Sequence, residues 1–192
     1  MAWRKIEDSK LKAIANAIRE MTGKSWNMTV NAMPTLIKTI GDLDINNPHA
    51  KSIGDCVFYE CTPLKSASFP NVTSVGTRAF VYCRKLTTIN FPRLQTIGNS
   101  AFDSCSSLDG VELPEVKSIG SYAFAYTSNL KTLILSGATV PTLVNTDAFI
   151  NSAIAKGTGY IYVPDNLVSA YKRATNWATY ANQIKPISEL EV

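Results

Sequence analysis

Histidine is almost missing from this chain: 192 residues contain one, His49, in the loop sequence NNPHA. A serine or cysteine nucleophile needs a base within hydrogen-bond reach, so a catalytic triad has little material here. The sequence has no HExxH, no phosphate-binding glycine loop and no CxxC pair. These absences predict no catalytic residues, no metal site and no cofactor. Charge is also sparse, at 18% of residues, and the net +4 is spread thinly. Residues 1–42 hold seven Lys/Arg against four Asp/Glu, and residues 43–142 eight against seven. No basic run of nucleic-acid-binding type occurs, which argues against a nucleic-acid partner. No apolar run approaches the ~20 residues that span a bilayer. The opening MAWRKIEDSKLKAIANAIREM is interrupted by charge and lacks the apolar core of a signal peptide. The expectation is a protein that acts where it is made, leaves by another route such as lysis, or is separated from a leader.

What is present is repetition. Phe58, Phe80, Phe102 and Phe124 fall 22 residues apart, as do Leu64, Leu86, Leu108 and Leu130. The segment VGTRAFVYCRKLTTINFPRLQT (75–96) has the same plan as 53–74, 97–118 and 119–140. A fixed period of this size signals a solenoid, in which each repeat covers its apolar face with its neighbours. Within each copy the positions after the leucine alternate: Ala67 and Phe69, Ile89 and Phe91, Val111 and Leu113, Leu133 and Leu135 point one way. That period of two is a half-buried strand, ended by Pro70, Pro92 and Pro114. Stacked copies lay these strands side by side as a parallel sheet. A second short extended segment precedes each glycine, at 72–75, 94–97 and 116–119. Gly54, Gly76, Gly98 and Gly120 are expected at a tight corner that a side chain would obstruct. The Ala-Phe pair after each glycine is expected on an inward-packed helical turn.

Cys61, Cys83 and Cys105 share one repeat position, which Thr127 takes in the fourth copy. Stacking brings them within disulfide reach, but three in a column cannot all pair. They read as a buried ladder of small apolar side chains; Cys56 lies off this register, on the exposed side. The sequence alone leaves the redox state of all four open. His49 reads as a solvated loop residue in the turn-rich boundary 41–50.

The two ends differ from the middle. Ile6, Leu11, Ile14, Ala15, Ile18 and Met21 mark one face of a helix over 6–21, and Met33, Leu36, Ile37 and Ile40 one face of a second over 31–40. At the other end Tyr160–Val163 makes one more strand. Asp165 is expected to cap a helix over 166–174 with Leu167, Val168 and Tyr171 inward, and Trp177, Tyr180 and Ile184 to form a further helical turn. Phe149 follows Phe124 by 25 residues and Ser136 replaces the proline, so the regular solenoid is expected to end there. The domain organisation is a helical module at 1–42, a solenoid at 43–163 and a helical cap at 164–192.

The Leu-x-x-apolar-x-apolar-Pro copies with their Gly, Ala-Phe and Cys positions resemble the BspA-type leucine-rich repeat over roughly 51–163. Such repeats are found in bacterial surface proteins and in phage and prophage proteins. The fold implied is an α/β leucine-rich-repeat solenoid with helical caps at both ends. The string YVPDNLVSAYKRATNWATYANQIKPI also resembles the usual C-terminal end of these arrays. Leu11, Ile14, Ala15, Ala17, Ile18 and Arg19, then Thr22-Gly23-Lys24, then Met33, Leu36, Ile37 and Ile40, resemble a small helical module of phage and prophage tail-region proteins of Gram-positive bacteria.

Function therefore falls to a surface. The outward strand positions are Ser66 and Ser68, Thr88 and Asn90, Gly110 and Glu112, Thr132 and Ile134. Outward positions on a strand are polar in any case, and Asp103 and Asp109 of the third copy read as surface charges. Ile134 is the exception, expected to meet a partner or a cap. Trp26, Tyr160, Tyr162, Trp177 and Tyr180 gather toward the termini and read as cap or core packing ahead of sugar stacking. The resemblance implies a non-catalytic recognition or assembly protein of a phage or prophage tail, acting in assembly or host-surface attachment. Its partners would be other tail components or a host surface protein or glycan, and its location the virion. The alternative is a cell-surface or secreted bacterial adhesin; a third reading is a glycan-binding module. Oligomeric state is open.

Overall fold

The computed structural model describes residues 43–190. The helices expected at 6–21 and 31–40, and the tail-type module they compose, lie outside the described residues. Among the described residues twelve strands, β1 to β12 in chain order, wind into a coil whose two strand-bearing sides are built of parallel sheets. One side carries β1 (Leu43–Asn46), β3 (Leu64–Ser68), β5 (Thr88–Asn90), β7 (Gly110–Glu112), β9 (Thr132–Ile134), β11 (Tyr160–Val163) and β12 (Ile184–Pro186). The other carries two-residue strands: β2 (Ser52–Ile53), β4 (Ser74–Val75), β6 (Thr96–Ile97), β8 (Ser118–Ile119) and β10 (Thr142–Leu143). The parallel sheet, the leucine-rich-repeat coil and the short second strands match the sequence reading. The segment read as a polar boundary contains β1, which pairs with β3 as one more coil.

Between strands the core is built in columns. Phe58, Phe80, Phe102, Phe124 and Phe149 stack with ring centroids 4.9, 5.2, 5.3 and 5.7 Å apart, the last pair only 4° from parallel. Offset stacking of buried rings adds about 0.5–1.5 kcal/mol per pair to the area term. The solenoid does not end at the 25-residue step. The added residues are absorbed before the short 3-10 helix Thr146–Phe149, whose Asn145 side chain accepts from the Asp147 N–H, and Phe149 continues the column.

The third side is not helical, contrary to expectation. Each of the four 22-residue copies carries two residues at left-handed φ, as at Arg78 (57°) and Tyr82 (61°), or Ser100 (55°) and Ser104 (60°). The reason lies in where the N–H groups go. Phe58, Phe80 and Phe102 donate to the carbonyls of Ala79, Ala101 and Ala123 in the next coil, at 2.7 to 2.8 Å. A helix would spend those donors within its own coil; here they form a third inter-coil ladder. The left-handed residues let alternate amides point along the coil axis.

The cysteine column is buried and all four thiols are free. Cys83 and Cys105 donate to the Phe58 and Phe80 carbonyls at 3.0 and 3.1 Å, while Thr127 bonds the carbonyl of its own coil's Phe124 at 2.6 Å. Burial first, then the neighbouring Cys83, pushes the Cys61 thiol up to about 12. Burial and the Cys105 neighbour raise Cys83 as well. Cys56 is half-buried, not exposed, at a left-handed φ of 57°. A thiol reagent at pH 8 should therefore find Cys56 first and leave the other three until the chain unfolds. Fast labelling of two or more thiols on the native protein contradicts this. These folded-state pKa values lie above the unfolded one, so their stabilisation is complete below about pH 8.5. It is lost as pH rises toward 12, and midpoint stability should fall across that window.

The C-terminal cap is mixed, not helical. Its one α-helix, α1 (Val168–Tyr171), is a single turn between the 3-10 turns Asp165–Leu167 and Trp177–Tyr180. Ile184 is not in a helical turn: β12 pairs with β11 and extends the sheet. Asp165 does not cap the helix. Its carboxylate accepts from the Ser188 N–H at 3.2 Å, which holds its pKa below the usual range. Leu167 and Val168 are half-buried against the core, and Tyr171 is fully buried. Lys185 and Pro186 sit on the last strand, the residue types that blunt a sheet edge.

The Tyr171 hydroxyl is buried without a hydrogen-bond partner, and burial raises its pKa. Desolvating an unsatisfied hydroxyl costs about 1–3 kcal/mol. Tyr171→Phe keeps the ring and should raise the denaturation midpoint at unchanged m-value; a lower midpoint would mean that the hydroxyl has a partner.

Candidate functional site: the outward strand face

Alternation along each strand fixes which side chains leave the core. Ala67, Ile89, Val111, Leu133 and Ile161 point in, so their flanking residues point out. Strand register then places these in two rows. Ser66, Thr88, Gly110, Thr132 and Tyr160 belong to one; Ser68, Asn90, Glu112, Ile134 and Tyr162 to the other. Ser66, Ser68, Thr88, Asn90, Glu112, Thr132 and Ile134 stand at outward positions of these strands.

The face is not uniform. In its first part Ser66 donates to the Asp44 carboxylate and Asn90 to the Ser68 hydroxyl at 3.1 Å, so small polar side chains satisfy one another. The ladder then breaks: β1, β3 and β5 form one sheet, and β7, β9, β11 and β12 another. β5 and β7 run alongside each other without being paired, while the short strands behind them stay continuous. Gly110 occupies the position held by Ser66, Thr88 and Thr132, and a glycine weakens a strand where β-branched neighbours would hold it. A shallow polar groove of about 670 Å³ opens there, lined by Thr87, Thr88, Ser107, Asp109, Asn129 and Lys131.

Beyond the break the lining changes character. Ile134 and Tyr162 are paired neighbours, and Tyr160 lies in the adjacent row with its ring 6.4 Å from that of Tyr162 at 61°. Lys185 pairs with Tyr162 in the strand register and sets its ammonium 4.2 Å from the centre of the Tyr160 ring. Both tyrosines and Lys185 are half-buried. Reading Tyr160 and Tyr162 as cap or core packing missed them as part of this face. The alternation of YIYV carried that signal. What hid it was the step from Thr132 to Tyr160, 28 residues long, which breaks the period. Trp177 and Tyr180, by contrast, are buried in the cap.

Elsewhere the polar groups are structural or isolated. His49 is exposed. Asp103 is half-buried, and burial raises its carboxyl despite the Ser104 hydroxyl bonded to it. Asp109 is exposed. No group of three or more His, Cys, Asp or Glu is placed to hold a metal among the described residues. No helix among them is long and apolar enough to cross a membrane.

Comparison with known proteins bears on this architecture. A Leucine Rich Repeat protein of T. pallidum, known from its crystal structure, is similar in fold with a TM-score of 0.53 at 24% identity. The likeness covers 64% of this chain and 58% of that one. A leucine rich cell surface protein from Faecalibacterium prausnitzii has a TM-score of 0.46 at 25% identity, over 71% of this chain and 38% of that one. The chain thus spans less than two thirds of either solved structure. No curated protein matches it. Residues 36–156 match, in six copies, the family described as BspA type Leucine rich repeat region. That stretch is more than half of the sequence and contains the strands of the face from Ser66 to Ile134, and the chain belongs to the BspA-type leucine-rich-repeat family.

Proposed function

We propose that the chain is a recognition protein of the bacterial surface or adhesin kind, which captures a protein partner on its outward strand face. One observation carries the reading: Ile134, Tyr160 and Tyr162, brought together by strand register, make an amphipathic patch on an otherwise polar sheet. Tyrosine is enriched at interface centres because it buries a large apolar ring while keeping a polar tip. Membership of a family of recognition repeats supports the same reading, although a fold alone does not fix a function. The phage-tail reading uses the same face and draws its separate support from residues 1–42.

The test uses fluorescent full-length protein on intact Gram-positive bacteria and on cultured epithelial cells, before and after trypsin treatment of the cells. Saturable, trypsin-sensitive binding is expected, lost by at least tenfold in Tyr160→Ser/Tyr162→Ser. That substitution touches half-buried positions and should leave the fold intact by circular dichroism. Absence of binding to either cell type, or binding indifferent to the substitution, overturns the reading. Phage tail genes flanking the coding region would favour the tail assignment over the adhesin one.

A further inference from the structure

Residues paired across β7, β9, β11 and β12 form a transverse row of unlike chemistry: Glu112, Ile134, Tyr162, Lys185. An exposed carboxylate stands at one end, an aliphatic and an aromatic side chain in the middle, an ammonium at the other. Adjacent strands lie about 4.8 Å apart, so the backbone positions that carry the two charges are separated by about 14 Å. We propose that this row reads a segment of the partner protein carrying a basic residue, an apolar side chain and an acidic residue in matching order. The proposal rests on the recognition reading above and names the chemistry of its ligand.

Two observations favour a protein segment over a sugar. A pyranose ring stacks on an open, flat aromatic face, but the Tyr160 ring is already met by the Lys185 ammonium. Tyr160 and Tyr162 are tilted by 61° and so offer no common platform. The ammonium also lies 3.9 Å from the Glu189 carboxylate. That exposed pair is weak and leaves an ammonium, which has three donors, free to turn toward a partner carboxylate. The first three strands of the face carry one carboxylate, Asp44, which accepts from Ser66, among hydroxyl and amide groups; they supply neither an opposed pair of charges nor an apolar centre. Opposite charges at the two ends give the contact a direction, because a segment lying the other way would set like charges together.

The experiment is a yeast-displayed library of random 12-residue peptides, selected on the immobilised full-length protein and counter-selected on Tyr162→Ser. Enriched peptides should carry Lys or Arg and Asp or Glu about four residues apart, the extended length that matches the row, with an apolar residue between. For one such peptide, Glu112→Lys and Lys185→Glu should each raise Kd roughly tenfold, less so at high salt. The charge-swapped peptide should recover affinity on the double variant. Peptides without the charge order, or no enrichment at all, overturn the proposal. Loss of binding in Tyr162→Ser with no effect of either charge reversal would sink the charge order and leave the recognition face standing. Peptides that bind Tyr162→Ser as well as the native protein, so that counter-selection removes them all, sink both.

Discussion

Gly98→Ala should cost about 3 kcal/mol, the upper end of the usual range for overpacking, a fall in melting temperature of roughly 6–12 °C for a chain of this size. A Cβ at this position would lie 2.6 Å from the Gly76 carbonyl carbon, 2.7 Å from the Thr77 nitrogen and 2.9 Å from the Gly76 oxygen. All three atoms are backbone, so no side chain can swing aside. Neither coil can retreat easily, because the Gly98 N–H is held on the Val75 carbonyl at 2.8 Å. φ is not the issue at this glycine; the corner is a place where successive coils approach closely. Gly110→Ala is the internal control. Its Cβ would meet only the Thr132 oxygen, at 4.0 Å, and the change should stay within about 1 kcal/mol. If both substitutions cost the same, the close approach of coils at Gly98 is not what the glycine serves.

The same column shows how far this sequence could be read. A 22-residue period by itself places Phe80 over Phe58 and Ile89 beside Ala67, because a repeat that cannot bury its own apolar face must stack in register. It likewise puts Ser66, Thr88, Glu112 and Ile134 on one outward face. What it cannot report is backbone conformation that the side chains do not encode. Arg78, Tyr82 and Ser104 all sit at left-handed φ, yet none is a residue that favours it. Three different side chains adopt it because the inter-coil hydrogen bonds over-determine the turn. Ala-Phe followed by Cys three residues on therefore looked helical. The cap was misread for a related reason: Ile184 forms a strand only because Ile161 is there to pair with it, a contact no local pattern announces. The aromatic half of the face depended on β11 pairing with β9 across the irregular step before Tyr160, and so it came from the structure.

Trp177→Ala should be the most damaging substitution in the cap, and its effect should differ in kind from that of Gly98→Ala. The indole is 1% exposed and donates to the Pro141 carbonyl at 2.7 Å. Its ring centroid lies 5.3 Å from that of Tyr171 and 6.1 Å from that of Phe149. Truncating a buried tryptophan costs about 3–5 kcal/mol through lost contacts and the cavity left behind. An acceptor left without its donor adds about 1 kcal/mol or more. Two neighbouring bonds depend on the same docking: Asn176 to the Leu143 carbonyl at 2.7 Å, and the Tyr180 hydroxyl to the Thr146 carbonyl. In a solenoid each coil is held by its neighbours, so the loss should spread from the C-terminal end inward and not through the whole chain. Hydrogen exchange should show amides of residues 141–186 losing protection while those of Phe80 and Phe102 keep theirs. Gly98→Ala, in the middle of the array, should loosen both flanking coils. Trp177→Phe keeps a six-membered ring but removes the donor and part of the buried volume, so it should cost less than Trp177→Ala, about 2–3 kcal/mol. Uniform loss of protection along the solenoid in Trp177→Ala would mean that the coils unfold as one unit and that the cap is no separate lid.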